Sequence, residues 1–156
     1  MRRDVYLRLA GFPHFFEHMY EEPDYALQCY AAGHAVWFEP GLAVRHHMSG
    51  VNRHGGRRQR LHARNELWSV LIRCPWPYLP AVALFRIWRQ LRYAATQGLW
   101  HLLLQPAWWL AALRGLPHCL SRRAPIPWRT YWSWMQLARR PVRQPLELAR
   151  AMGAPR

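Results

Sequence analysis

Apolar positions in the first third of the chain recur at two different periods. Val5, Leu7 and Leu9 alternate with Tyr6, Arg8 and Ala10, which fits a strand and equally a short helix running into the turn at Gly11-Phe12-Pro13. An aromatic run from His14 to Tyr20 leads to Glu21-Glu22-Pro23-Asp24, where a short helix is predicted to open. Pro23 suits a first helical position, the acids favour the positive end of the helix dipole, and Gly33 supplies the stop. Two strands are then predicted, His34 to Glu39 between Gly33 and Pro40, and Leu42 to His47. Period two puts Leu42, Val44 and His46 on one face and Ala43, Arg45 and His47 on the other, so the two histidines have different tasks.

Beyond them the pattern turns helical. Met48 to Gln59, rich in Gly and Arg, reads as a basic loop suited to closing over phosphates. Gln59 to Arg73 has no breaker and reads as a helix ending before Pro75, with Asn65 a polar residue near its buried face. Pro75, Pro77 and Pro80 mark a boundary, giving an expected first region at 1–75 and a second at 76–156. Tyr93 to Leu113 carries no formal charge and approaches the ~20 residues of a membrane span. Gln97, Gly98, His101, Gln105 and Pro106 interrupt it, which favours amphipathic helices lying in the membrane interface over a true span. The last dozen residues are expected to be disordered.

Charge sharpens this division. The net charge is +14; nine Arg and seven acids lie in residues 1–66, but thirteen Arg and one acid, Glu147, in the remainder. Nine of the ten Trp also start at Trp68, and Arg mixed with Trp suits an anionic membrane surface or, alternatively, nucleic acid. Cys29, Cys74 and Cys119 are isolated, which excludes a short-spaced zinc or redox pair and fits reduced thiols. Residues 1–8 are charged and lack an apolar core of signal length, so no secretory signal is expected.

Two stretches carry candidate chemistry. Three of the eight carboxylates, Glu21, Glu22 and Asp24, fall within four positions at a helix mouth, either as a dipole-complementing turn or as a general base or metal neighbour. His14-Phe15-Phe16-Glu17-His18 matches the H-x-x-E-H pattern of inverted zinc proteases, which requires both histidines on one helical face; otherwise they are packed or surface residues.

Taken together, Arg3, Gly11-Phe12, Phe16, Glu21-Glu22-Pro23-Asp24, Gly33, Pro40-x-Leu42-x-Val44-x-His46 and Arg64-Asn65 resemble, in order and spacing, the C-terminal part of a bacterial family 2 inverting glycosyltransferase. The resemblance covers roughly residues 1–75 and implies an α/β fragment of a GT-A-like nucleotide-diphospho-sugar transferase domain, followed by an amphipathic, mainly α-helical, membrane-associated tail. It implies that Glu22 removes the acceptor proton, that Glu21 and Asp24 shape the acceptor pocket, that His46 binds a divalent cation, Mg or Mn, in the complete enzyme, and that Arg64 and Asn65 join His46 as cofactor-binding residues. The implied partners are a nucleotide-sugar donor, a glycan or lipid-linked acceptor and the inner face of the cytoplasmic membrane.

The family's nucleotide-binding half and its Asp-x-Asp motif are missing from the sequence, and Ala10, Pro13 and Gln28 depart from the family pattern. The resemblance therefore implies a truncated frame, a misplaced start or one half of a split enzyme, inactive alone. The alternative is a non-enzymatic basic, Trp-rich module that binds anionic membrane or nucleic acid.

Overall fold

The computed structural model describes residues 2–9, 11–37, 41, 43–45, 55–137, 139–140, 142, 144, 147–148 and 150. Helices make up 71% of them, and no strand or sheet forms among them. The expected α/β, GT-A-like architecture is thereby corrected to a helical one. Of the two predicted strands, residues 34–37 and 43–45 are described and form no ladder; Val36, Trp37 and Val44 face solvent instead of a sheet core. A pair of short strands is at best marginal without a third strand or a covering helix, and local alternation cannot supply either.

The elements run α1 (Arg3–Arg8), a 3-10 turn (His14–Phe16), α2 (Glu21–Ala31), α3 (Gly55–Arg73), α4 (Leu79–Gln97), α5 (Leu99–Leu103), α6 (Gln105–Arg114), α7 (Leu116–Ser121) and α8 (Trp128–Leu137). The first stretch, open between strand and helix in the sequence, is helix α1. Gly33, at φ +80°, stops α2: the His34 N–H reaches back to the Cys29 carbonyl at 2.8 Å, satisfying a carbonyl that the helix end leaves open.

Helix α3 is the hub, with α4, α6 and α7 packed along it while α2 packs on α8. Trp68 is buried at its middle against Phe16, Ile72 and Cys119, a burial that contributes about 1.5–3 kcal/mol. Its indole N–H donates to the Ala112 carbonyl at 3.0 Å. Gly115 permits this fit, since a Cβ there would lie 2.2 Å from Trp68 Cζ2. A second core joins Leu27 of α2, Val70 of α3, Val82 of α4 and Tyr131 of α8. At the C-terminal end of α3, the Arg123 guanidinium donates to the Leu71 and Cys74 carbonyls, a cation placed where the helix dipole is negative.

Among the described residues no helix is long and apolar enough to cross a membrane. Gly98 and the break after Leu103 divide the uncharged run into the end of α4, α5 and most of α6.

Candidate functional site

The site is built around the start of α2 and the loop before it. Glu17, Met19 and Tyr20 all have positive φ, between 63° and 72°, a conformation that non-glycine residues hold only when their surroundings enforce it. The enforcement comes from α3. Asn65, fully buried, donates its amide to the carbonyls of Phe16, His18 and Met19 at 2.6–2.9 Å. Arg64 donates to Asn65 Oδ1, the Phe16 carbonyl and Glu17 Oε1, and its guanidinium lies 4.2 Å over the Trp68 ring. Arg64 and Asn65 thus hold the loop that aims α2.

The same geometry removes the H-x-x-E-H arrangement. Helical structure ends at Phe16 and Glu17 is left-handed, so His14 and His18 share no helical face. Among the described residues no three histidines, cysteines or carboxylates are grouped to hold a metal.

Successive positions on a helix point about 100° apart, and the three carboxylates of α2 accordingly enter three environments. Asp24 points inward and is fully buried. It accepts from Ser69 Oγ at 2.7 Å, Arg73 Nη2 at 3.0 Å and Gln28 Nε2 at 2.9 Å, tying α2 to α3. Glu21 turns toward the loop, with Oε1 3.6 Å from His18 Nδ1 and Oε2 buried without a hydrogen bond. Glu22 faces outward, exposed, along an open cleft of about 840 Å³. His46, the expected metal ligand, lies outside the described residues.

The cleft walls are mostly apolar and aromatic. Glu22, Tyr25, Ala26 and Cys29 recur at helical spacing on one face of α2, opposite Phe12, Val36 and Trp37. Tyr25 is 7% exposed, and its hydroxyl lacks a hydrogen bond of normal geometry; burial first, and then the neighbouring Cys29 thiol, push it up to about 12. Gly11, at φ +61°, lets the Tyr6 ring pack against Phe12 and Tyr25: a Cβ there would lie 2.4 Å from Tyr6 Cζ. The sequence reading missed these walls, although the spacing of Tyr25 and Cys29 after Glu22 marks a common face.

It also missed Glu66, which is 1% exposed. Arg86 and Arg89 of α4 pair with its Oε1, and Gln90 donates to Oε2 at 2.7 Å. Close by, the Tyr20 ring meets His62 edge-on at 5.2 Å; burial, reinforced by Glu66, pushes the Tyr20 hydroxyl up to about 12, and burial holds His62 below its ordinary value.

Chemically, the arrangement offers one solvent-facing carboxylate on an aromatic cleft, with Asp24 consumed by Ser69, Arg73 and Gln28 and Glu21 turned away toward His18. No protein-family model, curated protein or solved structure matches this chain.

Proposed function

We propose that the chain provides the acceptor side of an inverting sugar transfer, from a nucleotide-diphosphate sugar to a glycan or lipid-linked acceptor. Glu22 acts as the base and a separate nucleotide-binding part completes the enzyme. The observation that carries this reading is the divergence of the carboxylates: only Glu22 opens onto a cleft large enough for a sugar ring, with Tyr25 and Trp37 as aromatic walls. An acceptor hydroxyl loses its proton as the new bond forms, so it needs a base within hydrogen-bond reach at that moment. The leaving diphosphate needs positive charge, which a divalent cation in the nucleotide-binding part supplies. Arg64 and Asn65 then act as positioning residues through the loop they hold.

The test supplies a nucleotide-binding part by fusion or co-expression and measures turnover. Glu22→Gln keeps the shape but loses the proton acceptor, so turnover falls about 10²- to 10⁴-fold with donor binding little changed. In parallel, saturation-transfer NMR with short oligosaccharides should show contact that Trp37→Ala abolishes. Unchanged turnover in Glu22→Gln sinks the reading.

A second reading, a non-enzymatic module resting on the inner face of the cytoplasmic membrane, is favoured by one observation. Leu99, Trp100 and Leu103 of α5 are 61–72% exposed beside α4, which carries Arg86, Arg89 and Arg92.

A further inference from the structure

Between α3 and α4 the buried Glu66 gathers Arg86, Arg89 and Gln90. Toward the start of α3 from this knot lies an open bowl of about 520 Å³, walled by Arg58, Gln59 and His62 of α3, Arg89 and Tyr93 of α4, and Met19 of the loop. It shares no residue with the Glu22 cleft. Its polar groups are already oriented. Arg89 is anchored by Glu66 yet 45% exposed, so its remaining N–H groups are held at one place on the wall. The His62 ring is fixed by the edge-on Tyr20 at 5.2 Å, and burial holds it below its ordinary value, so near neutral pH it is an uncharged imidazole with one N–H. Arg58 is exposed, and among the described residues no carboxylate pairs with it; Glu17, which borders a neighbouring cleft with Arg58, is taken by Arg64.

Three guanidiniums, those of Arg58, Arg86 and Arg89, therefore line or underlie the bowl against one carboxylate, Glu66, a surplus of two positive charges. A phosphate monoester answers it: at neutral pH it carries close to two negative charges, and its three terminal oxygens accept from guanidiniums on two different helices. A carboxylate has one charge and two oxygens on one edge, which a single arginine fork satisfies. The remaining wall is Met19, the 52% exposed Tyr93 ring and the arginine stems, an apolar neighbour for the body of such a ligand. A bowl of this size seats one phosphate group, whereas a nucleic-acid strand needs a track of cations along its backbone. We propose that this bowl binds a small phosphate monoester with an apolar or aromatic body, its phosphate between Arg58 and Arg89 with Gln59 and His62 as further donors, and its body on Tyr93 and Met19. The site depends neither on sugar transfer nor on a membrane.

The probe is phenyl phosphate, titrated into the full chain by calorimetry in about 150 mM NaCl, which screens attraction to distant arginines. Binding with a dissociation constant below about 1 mM is expected. Arg58→Gln and Arg89→Gln should each weaken it at least about 10-fold, the loss of a charge-assisted hydrogen bond, and Tyr93→Ala about 3-fold. Arg58 and Tyr93 are exposed, and Arg86 and Gln90 still hold Glu66 in the Arg89 variant; far-UV circular dichroism checks that each keeps its helices. Arg122→Gln and Arg129→Gln, at exposed positions outside the bowl, should leave binding unchanged. No binding at about 10 mM probe, or binding that Arg58→Gln and Arg89→Gln leave intact, overturns the site. Losses of equal size in the Arg122 and Arg129 variants would reduce it to general attraction and overturn it as well. Phosphatidic acid vesicles that hold the chain without competition from phenyl phosphate would move phosphate recognition to a lipid surface elsewhere and also overturn it.

Discussion

The segments before and after α3 dock on it by different means. Residues 2–37 are held largely by buried polar groups: Asn65 on three loop carbonyls, Arg64 on Glu17, and Asp24 between Ser69 and Arg73. Helices α4 to α8 are held mainly by apolar packing around Trp68, Val70 and Trp108, with Glu66 as their chief buried ion-pair anchor. Apolar contact is non-directional and tolerates a small slide, while a buried hydrogen-bond set fixes distance and angle. The directional set is found where a strained loop leads into the start of α2. The difference is that between a region built to hold a geometry and one built to cover a core while leaving apolar surface outside.

This contrast can be broken most sharply at Asp24. Asp24→Ala strands Arg73 in a partly buried site and should lower unfolding free energy by about 3–5 kcal/mol in urea titration. A loss below about 1 kcal/mol would show that α2 is held by packing after all. Asn65→Ala leaves the His18 and Met19 carbonyls without this donor, while Arg64 still donates to the Phe16 carbonyl, and should cost about 1–3 kcal/mol. Amide exchange should then quicken at residues 16–20 but remain slow in α4, and equal quickening in both would deny that the anchor is local.

On the other side of α3, Leu110→Ser changes an exposed position and should move stability by no more than about 0.5 kcal/mol. The smallest effect concerns pH. Burial holds His62 below its ordinary value, so between the ordinary and the folded values the unfolded chain binds more protons than the native one. Its contribution is complete above the ordinary histidine range and is lost as pH falls toward the folded value. His62→Gln should remove that part of the acid sensitivity, read as urea midpoints at pH 7.5 and 5.5.

Some of this was legible in residue order alone. The Gly33 stop, the absence of a breaker from Gln59 to Arg73, and the acids at the start of α2 all follow from local rules, because capping, turn chemistry and helix dipoles act within a few residues. The charge division, with Arg and Trp concentrated after Leu67, is likewise a property of composition. Tertiary structure decided the rest. Alternation at 34–37 and 43–45 satisfies the rule for a strand, yet a strand exists only where another chain segment offers its hydrogen-bonding edge, and none does among the described residues. Tyr20, Glu17 and Met19 take positive φ only because Asn65, some 46 positions away, pulls three carbonyls to one point. Three neighbouring carboxylates look equivalent in sequence. Burying Asp24, turning Glu21 toward His18 and leaving Glu22 on the cleft required α2 to be tied to α3 through Ser69 and Arg73 and packed on α8, because solvent access is set by what lies opposite a side chain and not by what lies beside it.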